Sequence, residues 1–376
     1  MKDELHGITP TVRVTPAKTA TNGWSLSLDG GKHAGTVLTI RADRELDSKS
    51  SGNWAACWAA AFSARWGYSA IEIDAPVDVM LGPAVQAHAD LYESWGCSRK
   101  LSVNAPRRAM TPDEPPSRRA TGLFFSGGVD STYSLWKLLE TFDPRDLVLV
   151  YSAFSAREAI RTAPQEQRVR AVADAAGVSL IVVRTNIGEA IHQDFSGYWS
   201  TRENGEVLAG IAHALCDRVE TMFIAATLSG NHLVPLGSHP AADAMLSSTQ
   251  LKIMNHGTEK TRLEKIQYLL RRNGGVLPAI DVCAFWFARD AVEFVNCGVC
   301  EKCVRTLAEV YVLRGGIPGG LFRHSLSIDA IDGLLNLPMN EVTSRYWAEI
   351  AMHLSEADPL HAPVLGLLAR LETNGA

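Results

Sequence analysis

Two short stretches of the chain combine residue types at spacings that can do chemistry. The first is "SGGVDS", Ser126 to Ser131, which joins the apolar run "GLFF" to a segment patterned like the start of a helix. Gly127 and Gly128 can adopt backbone angles closed to other residues, so successive N–H groups can turn inward and cradle an anion. The helix N-terminus behind them adds partial positive charge. Ser126 and Ser131 supply hydroxyl donors, while Asp130 suits a magnesium-side ligand or a helix cap. A plain strand-to-helix turn capped by Asp130 would use the same glycines. The complete string after an apolar strand is more specific than a glycine pair, and it lacks the Gly-Lys-Ser/Thr of the P-loop NTPases.

The second stretch is "CGVCEKC", which places Cys297, Cys300 and Cys303 at two-residue intervals, with Cys283 upstream in "DVCAFW". A C-x2-C turn points two thiolates at one ion, the third follows as a helix begins, and a distant cysteine closes a tetrahedron. Gly298 supplies the tight turn. Four sulfurs make a closed structural zinc site the expectation, with an iron–sulfur cluster as its rival. Cys57, Cys97 and Cys216 stand apart and read as small buried hydrophobes.

The elements that must position these residues alternate. "GLFFS", "DLVLVYSAF", "SLIVVRT" and "TMFIAAT" read as strands, separated by the helical patterns Asp130 to Thr141, "PQEQRVRAVADAAG" and "GEVLAGIAHALCDRV". Apolar strands alternating with amphipathic helices predict an α/β fold with a parallel, doubly wound sheet covered on both faces. Ligands of such sheets bind at the carboxyl ends of the strands, where chain order reverses, and the Gly-Gly turn lies at such an end. Residues 1–105 read as an N-terminal α/β accessory module and the proline- and charge-rich residues 106–119 as a linker. Residues 120–275 hold the alternating domain, and residues 276–376 the cysteine site and a helical C-terminal region.

Composition bounds the function. Hydrophobic residues at 46% and charged residues at 20% fit a globular protein. A net charge of −5 disfavours nucleic acid as a partner. No apolar run is long enough to span a bilayer and "MKDELHGITP" is unlike a signal peptide, so a cytoplasmic protein without membrane attachment is expected.

"SGGVDS" resembles the Ser-Gly-Gly-x-Asp-Ser signature of the PP-loop ATP pyrophosphatases, which have an adenine-nucleotide α-hydrolase-like fold. The resemblance implies cleavage of ATP between its α and β phosphates, adenylation of a carbonyl-type oxygen, and displacement of AMP by a nucleophile. It assigns ATP binding to Ser126, Gly127, Gly128, Asp130 and Ser131. The segment "STRENGEVLAGIAHALCDRVETMFIAATL" resembles the Arg-Asn helix and fourth strand of the branch typified by 7-cyano-7-deazaguanine synthase. Arg202 then matches that branch's arginine near the nucleotide; a solvated loop arginine is the other reading. "EKTRLEKI" is similar to the branch's Thr/Ser-Lys-x-Glu helix start, with Thr261 as cap and Arg262 or Lys265 reaching phosphate, unless both are merely exposed. The branch also carries a four-cysteine zinc site ending C-G-x-C-x-x-C-x-x-R, from which Arg305 departs by one position.

The resemblance spans roughly residues 120 to 305 and fails after the fourth strand. There the branch has a Tyr-x-Asp-Cys-Arg-like stretch and this chain reads "SGNHLVPLGSHPAADAMLSSTQLKIMN", so a deazapurine substrate is not implied. Asn231, His232, Ser238, His239, Asp243, Ser247, Ser248 and Thr249 read singly as turn or cap residues and together as candidate substrate contacts. His239 is the candidate for proton transfer, because an amine must lose a proton as it attacks an adenylate. The aromatics of "DFSGYWS", residues 194–200, either wall the pocket or pack the core. The expectation is an ATP-dependent ligase using ATP, Mg2+ and Zn2+, with a small or protein-borne carboxylate substrate and ammonia or an amine donor; a homodimer is left open. The alternatives are a sulfurtransferase acting on tRNA or a small molecule, and a nucleotide-binding regulatory protein without turnover.

Overall fold

The computed structural model describes residues 11–46, 51–97, 100–108, 119–154, 163–191, 202–283, 295–336 and 341–374. The expected linker falls mostly outside them, as does the aromatic stretch 194–200. Among the described residues no helix is long and apolar enough to cross a membrane.

The chain opens with an antiparallel meander, β1 (Thr11–Ala20), β2 (Gly23–Asp29) and β3 (Val37–Ala42). Then come α1 (Ser51–Trp66), β4 (Ala70–Ile73), β5 (Val77–Asp78), α2 (Leu81–Ser94), β6 (Ser102–Asn104) and β7 (Arg107–Arg108). The alternating part continues as β8 (Ala120–Phe124), α3 (Val129–Leu138), β9 (Leu147–Ala153), α4 (Ala163–Ala176), β10 (Ser179–Thr185), α5 (Ile187–Ile191), α6 (Asn204–Ala214) and β11 (Val219–Ala225). After it come α7 (Pro240–Met245), β12 (Lys252–His256) and α8 (Arg262–Arg272). The C-terminal helices are α9 (Glu301–Val312), α10 (Ile328–Gly333), α11 (Glu341–Ala351) and α12 (His361–Asn374).

Ten strands form one mixed, mostly parallel sheet in the order β12-β11-β8-β9-β10-β3-β2-β1-β4-β6, and β5 and β7 pair separately. From β8 the chain moves outward through β9 to β10, then crosses to the other flank of β8 for β11 and β12, all five parallel. Chain order therefore reverses at β8, and the carboxyl end of a strand at such a reversal is where ligands of open α/β sheets bind. The fifth parallel strand, β12, is not among the strands that the sequence pattern predicts: of its residues only Ile253 is fully buried, so its pattern is too weak to stand out.

The N-terminal segment, up to residue 105, shares both sheet and core with the alternating domain. β3 pairs antiparallel with β10 from Val183↔Ala42 to Thr185↔Ile40. The Asn186 side chain fastens the seam, accepting from Thr39 N–H at 2.6 Å and donating to the Val37 carbonyl at 2.9 Å. The alanine-rich α1 lies against α6, with Trp54 and Trp58 fully buried and the Trp58 indole donating to the Val207 carbonyl at 3.1 Å. Small residues let the helix backbones approach, while the two indoles supply most of the apolar area there.

Candidate functional site

The Ser126–Ser131 loop leaves the carboxyl end of β8 and enters α3. Gly127 has φ +78, a conformation that strains any residue with a Cβ, and Gly128 is the N-cap of α3 with no side-chain cap bond. Asp130 is thus not the N-cap but sits in the first turn. The leading N–H groups of α3 have no partner within the helix, as at every helix start, and no capping side chain takes their place. Ser126 is exposed; its Oγ lies 3.3 Å from Ser131 Oγ and 3.4 Å from Gly128 N. Gln165, which carries no motif, donates to the Ser126 carbonyl at 3.0 Å and steadies the turn.

Behind the loop stands a buried ion cluster. Thr261 caps α8 in a full capping box with Glu264, and this sets Arg262 and Lys265 on the face turned toward α3. Lys265 Nζ lies 3.0 Å from Asp130 Oδ1 and 2.5 Å from the Ala226 carbonyl. Arg262 reaches Asp130 Oδ2 at 3.4 Å, Glu309 Oε2 at 3.2 Å and Thr306 Oγ1 at 3.0 Å. Both cations are buried, so the reading of them as simply exposed is set aside. Burial pushes the Glu309 carboxyl up, against the pull of Arg262 and Arg305. The result is positive charge held at fixed positions beside the helix start.

The tetracysteine centre lies next to this cluster. The sulfurs of Cys283, Cys297, Cys300 and Cys303 all fall within 4.8 Å of one another, and Cys297 Sγ and Cys303 Sγ are 3.8 Å apart. A tetrahedron with metal–sulfur bonds of about 2.3 Å has edges of about 3.8 Å, so four sulfurs this close fit a single ion such as zinc. Gly298 has φ +77, and a Cβ there would meet the His324 backbone at 2.4 Å. The Cys297 sulfur also receives the N–H of Cys300 at 3.3 Å. Asn296, fully buried and not foreseen from sequence, accepts from Val282 and Cys283 N–H and donates to the Ile280 and Leu321 carbonyls. It thereby aligns the segment that delivers Cys283.

The centre and the loop are joined. Asp281, two residues before Cys283, donates its N–H to the Gly127 carbonyl at 2.8 Å, and its carboxylate is 2.5 Å from Arg168. On the other side α9 starts at Cys300 and carries the Thr306 and Glu309 that orient Arg262. Arg305 pairs with Glu301 at 2.7 Å and lies over the Tyr346 ring, whose hydroxyl donates to the Thr227 carbonyl.

The remaining expected residues do not gather in one place: Arg202 and His239 lie away from the loop, and Ser247 to Thr249 lie just before β12, at the amino end of the sheet. Arg202 is 1% exposed, which removes the solvated-loop reading; its Nη1 is 2.8 Å from Glu206 and its guanidinium lies over the Tyr92 ring at 4.1 Å. Among the described residues no contact joins it to the Ser126–Ser131 loop. His239 caps α7, with Nδ1 accepting from Ala241 N–H at 3.2 Å, and its ring meets Trp95 edge-on at 4.9 Å. Burial lowers the His239 pKa, so the ring is neutral near pH 7 and carries its proton on Nε2. In this cap His239 presents a donor, and the proton-accepting role expected of it needs the ring to leave Ala241. Asp243 is fully buried, bonded by Ser238 and Asn255, and burial raises it to about 6. Ser247, Ser248 and Thr249 serve the turn and the contact to Asp78.

These features define a mixed α/β protein with a glycine turn leading into an uncapped helix start at a sheet reversal, and a tetracysteine centre able to hold a metal ion. Compared with protein-family models and with curated proteins, the chain matches none.

Proposed function

We propose that the chain is an ATP-dependent ligase of the PP-loop ATP pyrophosphatase type, which adenylates an acceptor carboxylate for attack by ammonia or an amine. The observation that carries this reading is the uncapped α3 start behind Gly127, at the reversal point of the sheet, with Lys265 and Arg262 fixed beside it by Asp130. Such a site favours a multiply charged leaving group, because oriented N–H groups and cations stabilise charge as it develops there.

In the proposed reaction an acceptor oxygen attacks the α-phosphorus of ATP, and the bond to the β-phosphate oxygen breaks. Pyrophosphate departs into the nest, where Ser126, Ser131 and the Gly127–Gly128 N–H groups receive it. The amine then displaces AMP from the acyl-adenylate and loses a proton. Asp130 keeps Lys265 and Arg262 in place, and the magnesium that accompanies ATP would draw on the same carboxylate. Zinc, held by Cys283, Cys297, Cys300 and Cys303, would tie Asp281 and α9 to the nest without entering the chemistry. The loop that follows β11, from Ser229 to Asp243, and Arg202 would supply the acceptor side. A sulfurtransferase would need a reactive thiol outside the metal centre, and Cys57 and Cys216 are buried. Cys97, expected to be buried too, is half-buried with its thiol donating to the Trp95 carbonyl at 3.5 Å, and it is the thiol that such a reading would have to use.

Oxygen-18 in the acceptor carboxylate should appear in AMP. Turnover that leaves AMP unlabelled, or that releases ADP and orthophosphate, overturns the proposal.

A further inference from the structure

The end of the sheet opposite the nest holds a second cleft of about 370 Å³, lined by Arg44, Arg119, Arg145, Arg218 and Asp217 over the first residues of β8, β9 and β10. β8 is five residues long, so the cleft and the nest lie about 17 Å apart at the usual rise of a strand. The arginines come from four chain segments: after β3, before β8, in the turn before β9, and before β11.

Their partners are mostly neutral. Arg119 donates to the carbonyls of Cys216 at 3.0 Å and Gln250 at 2.7 Å, Arg218 to that of Glu45 at 3.0 Å, and Arg44 to that of Asp43 at 3.0 Å. Arg145 is paired, 2.8 Å from Asp143. Among the described residues no carboxylate lies within ion-pair distance of Arg44, Arg119 or Arg218. Arg119 has a structural task, closing the carbonyl end of α6, which a positive charge suits. Arg44 and Arg218 each spend one N–H on a carbonyl, and a guanidinium has five. Among the described residues the cleft gathers four guanidinium groups against Asp217 in its lining and Asp143 on Arg145. This excess of positive charge costs repulsion and focuses positive potential, here in a chain of net charge −5.

We propose that this cleft binds a compact polyanion bearing phosphate groups, held by Arg44 and Arg218 at a site separate from the nest and independent of the ligase reading. Guanidinium forks converging from several directions suit an oxyanion with many oxygens. The cleft has the size of a small-molecule site. Among the described residues its lining holds no aromatic ring on which a base could stack, and the arginines form a concavity, not a stripe that could track a nucleic-acid backbone.

Calorimetric titration with inorganic pyrophosphate tests this in three proteins: wild type, R44Q/R218Q and the nest variant Gly127→Val. Wild type should show a site that persists in Gly127→Val and weakens by about tenfold for each arginine removed, the scale of a charged hydrogen bond. Arg44 is exposed and Arg218 half-buried, so the double variant should keep its fold by circular dichroism, and Arg44→Gln alone should give the partial loss. Unchanged pyrophosphate binding in R44Q/R218Q, or binding lost only in Gly127→Val, overturns the proposal. So does citrate binding as tightly as pyrophosphate, or polyglutamate binding more tightly through the same arginines, which would make the cleft a dock for an acidic protein.

Discussion

Replacing Lys265 by methionine tests the ion cluster more directly than any change in the nest. The side chain is 1% exposed and its Nζ serves two acceptors, Asp130 Oδ1 at 3.0 Å and the Ala226 carbonyl at 2.5 Å. Methionine keeps the length and most of the volume, so packing changes little. The carbonyl loses a buried donor, which costs about 1–3 kcal/mol. Asp130 keeps Arg262 at 3.4 Å and is 22% exposed, so water screens its loss to about 1 kcal/mol or less. Removing a buried ammonium also relieves desolvation, which offsets part of both. The expected net loss is about 2 kcal/mol, read as a lower urea midpoint at unchanged slope. In a double-mutant cycle with Asp130→Asn the coupling should reach about 1 kcal/mol. A loss below about 0.5 kcal/mol, or coupling within about 0.3 kcal/mol of zero, would refute the view that this pair holds α8 to α3.

Ser126→Ala should abolish substrate-dependent pyrophosphate release while leaving the melting temperature unchanged. Asp130→Ala should abolish it and also lower the melting temperature, because Lys265 and Arg262 lose their shared carboxylate. Elemental analysis should find about one zinc per chain, a colourless protein is expected, and Cys300→Ser should expose the C-terminal region to proteolysis. Chelation should speed hydrogen exchange of the Asp281 amide, whose acceptor is the Gly127 carbonyl, and unchanged exchange would separate the centre from the nest. Burial raises Glu203 to about 7, with Arg65 opposing. Between the ordinary carboxylate value of about 4.3 and that pH the folded chain holds a proton on Glu203 that the unfolded chain has released. The contribution of Glu203 to stability should therefore fall as pH rises through this window, while buried histidines such as His213 act in the opposite sense. Relative to wild type, Glu203→Gln should gain stability as pH rises through this window and be more stable at pH 8 by about 1–3 kcal/mol; a stability difference between the two proteins that stays constant from pH 5 to 8 would contradict this.

Local codes were legible in the sequence by itself. The Gly-Gly turn, the C-x2-C interval and the capping box at Thr261 each work over a few residues, where backbone angles and ligand geometry allow few alternatives. The parallel strands β8 to β11 stood out because burial on both faces demands continuous apolar runs. Pairings between distant segments were not legible, since no local pattern records them. That β3 would pair with β10 depends on antiparallel register and on Asn186 bridging 147 positions to Thr39. That Arg202 would settle on Tyr92 and Glu206 depends on where α2 packs. Asn296, Gln165 and Asp281 carry no motif and act only through neighbours that the fold brings to them. The sequence by itself determined which residues could bind an anion or a metal. Only the tertiary structure decided which of them share a site, because charge and hydrogen bonding act through space and not along the chain.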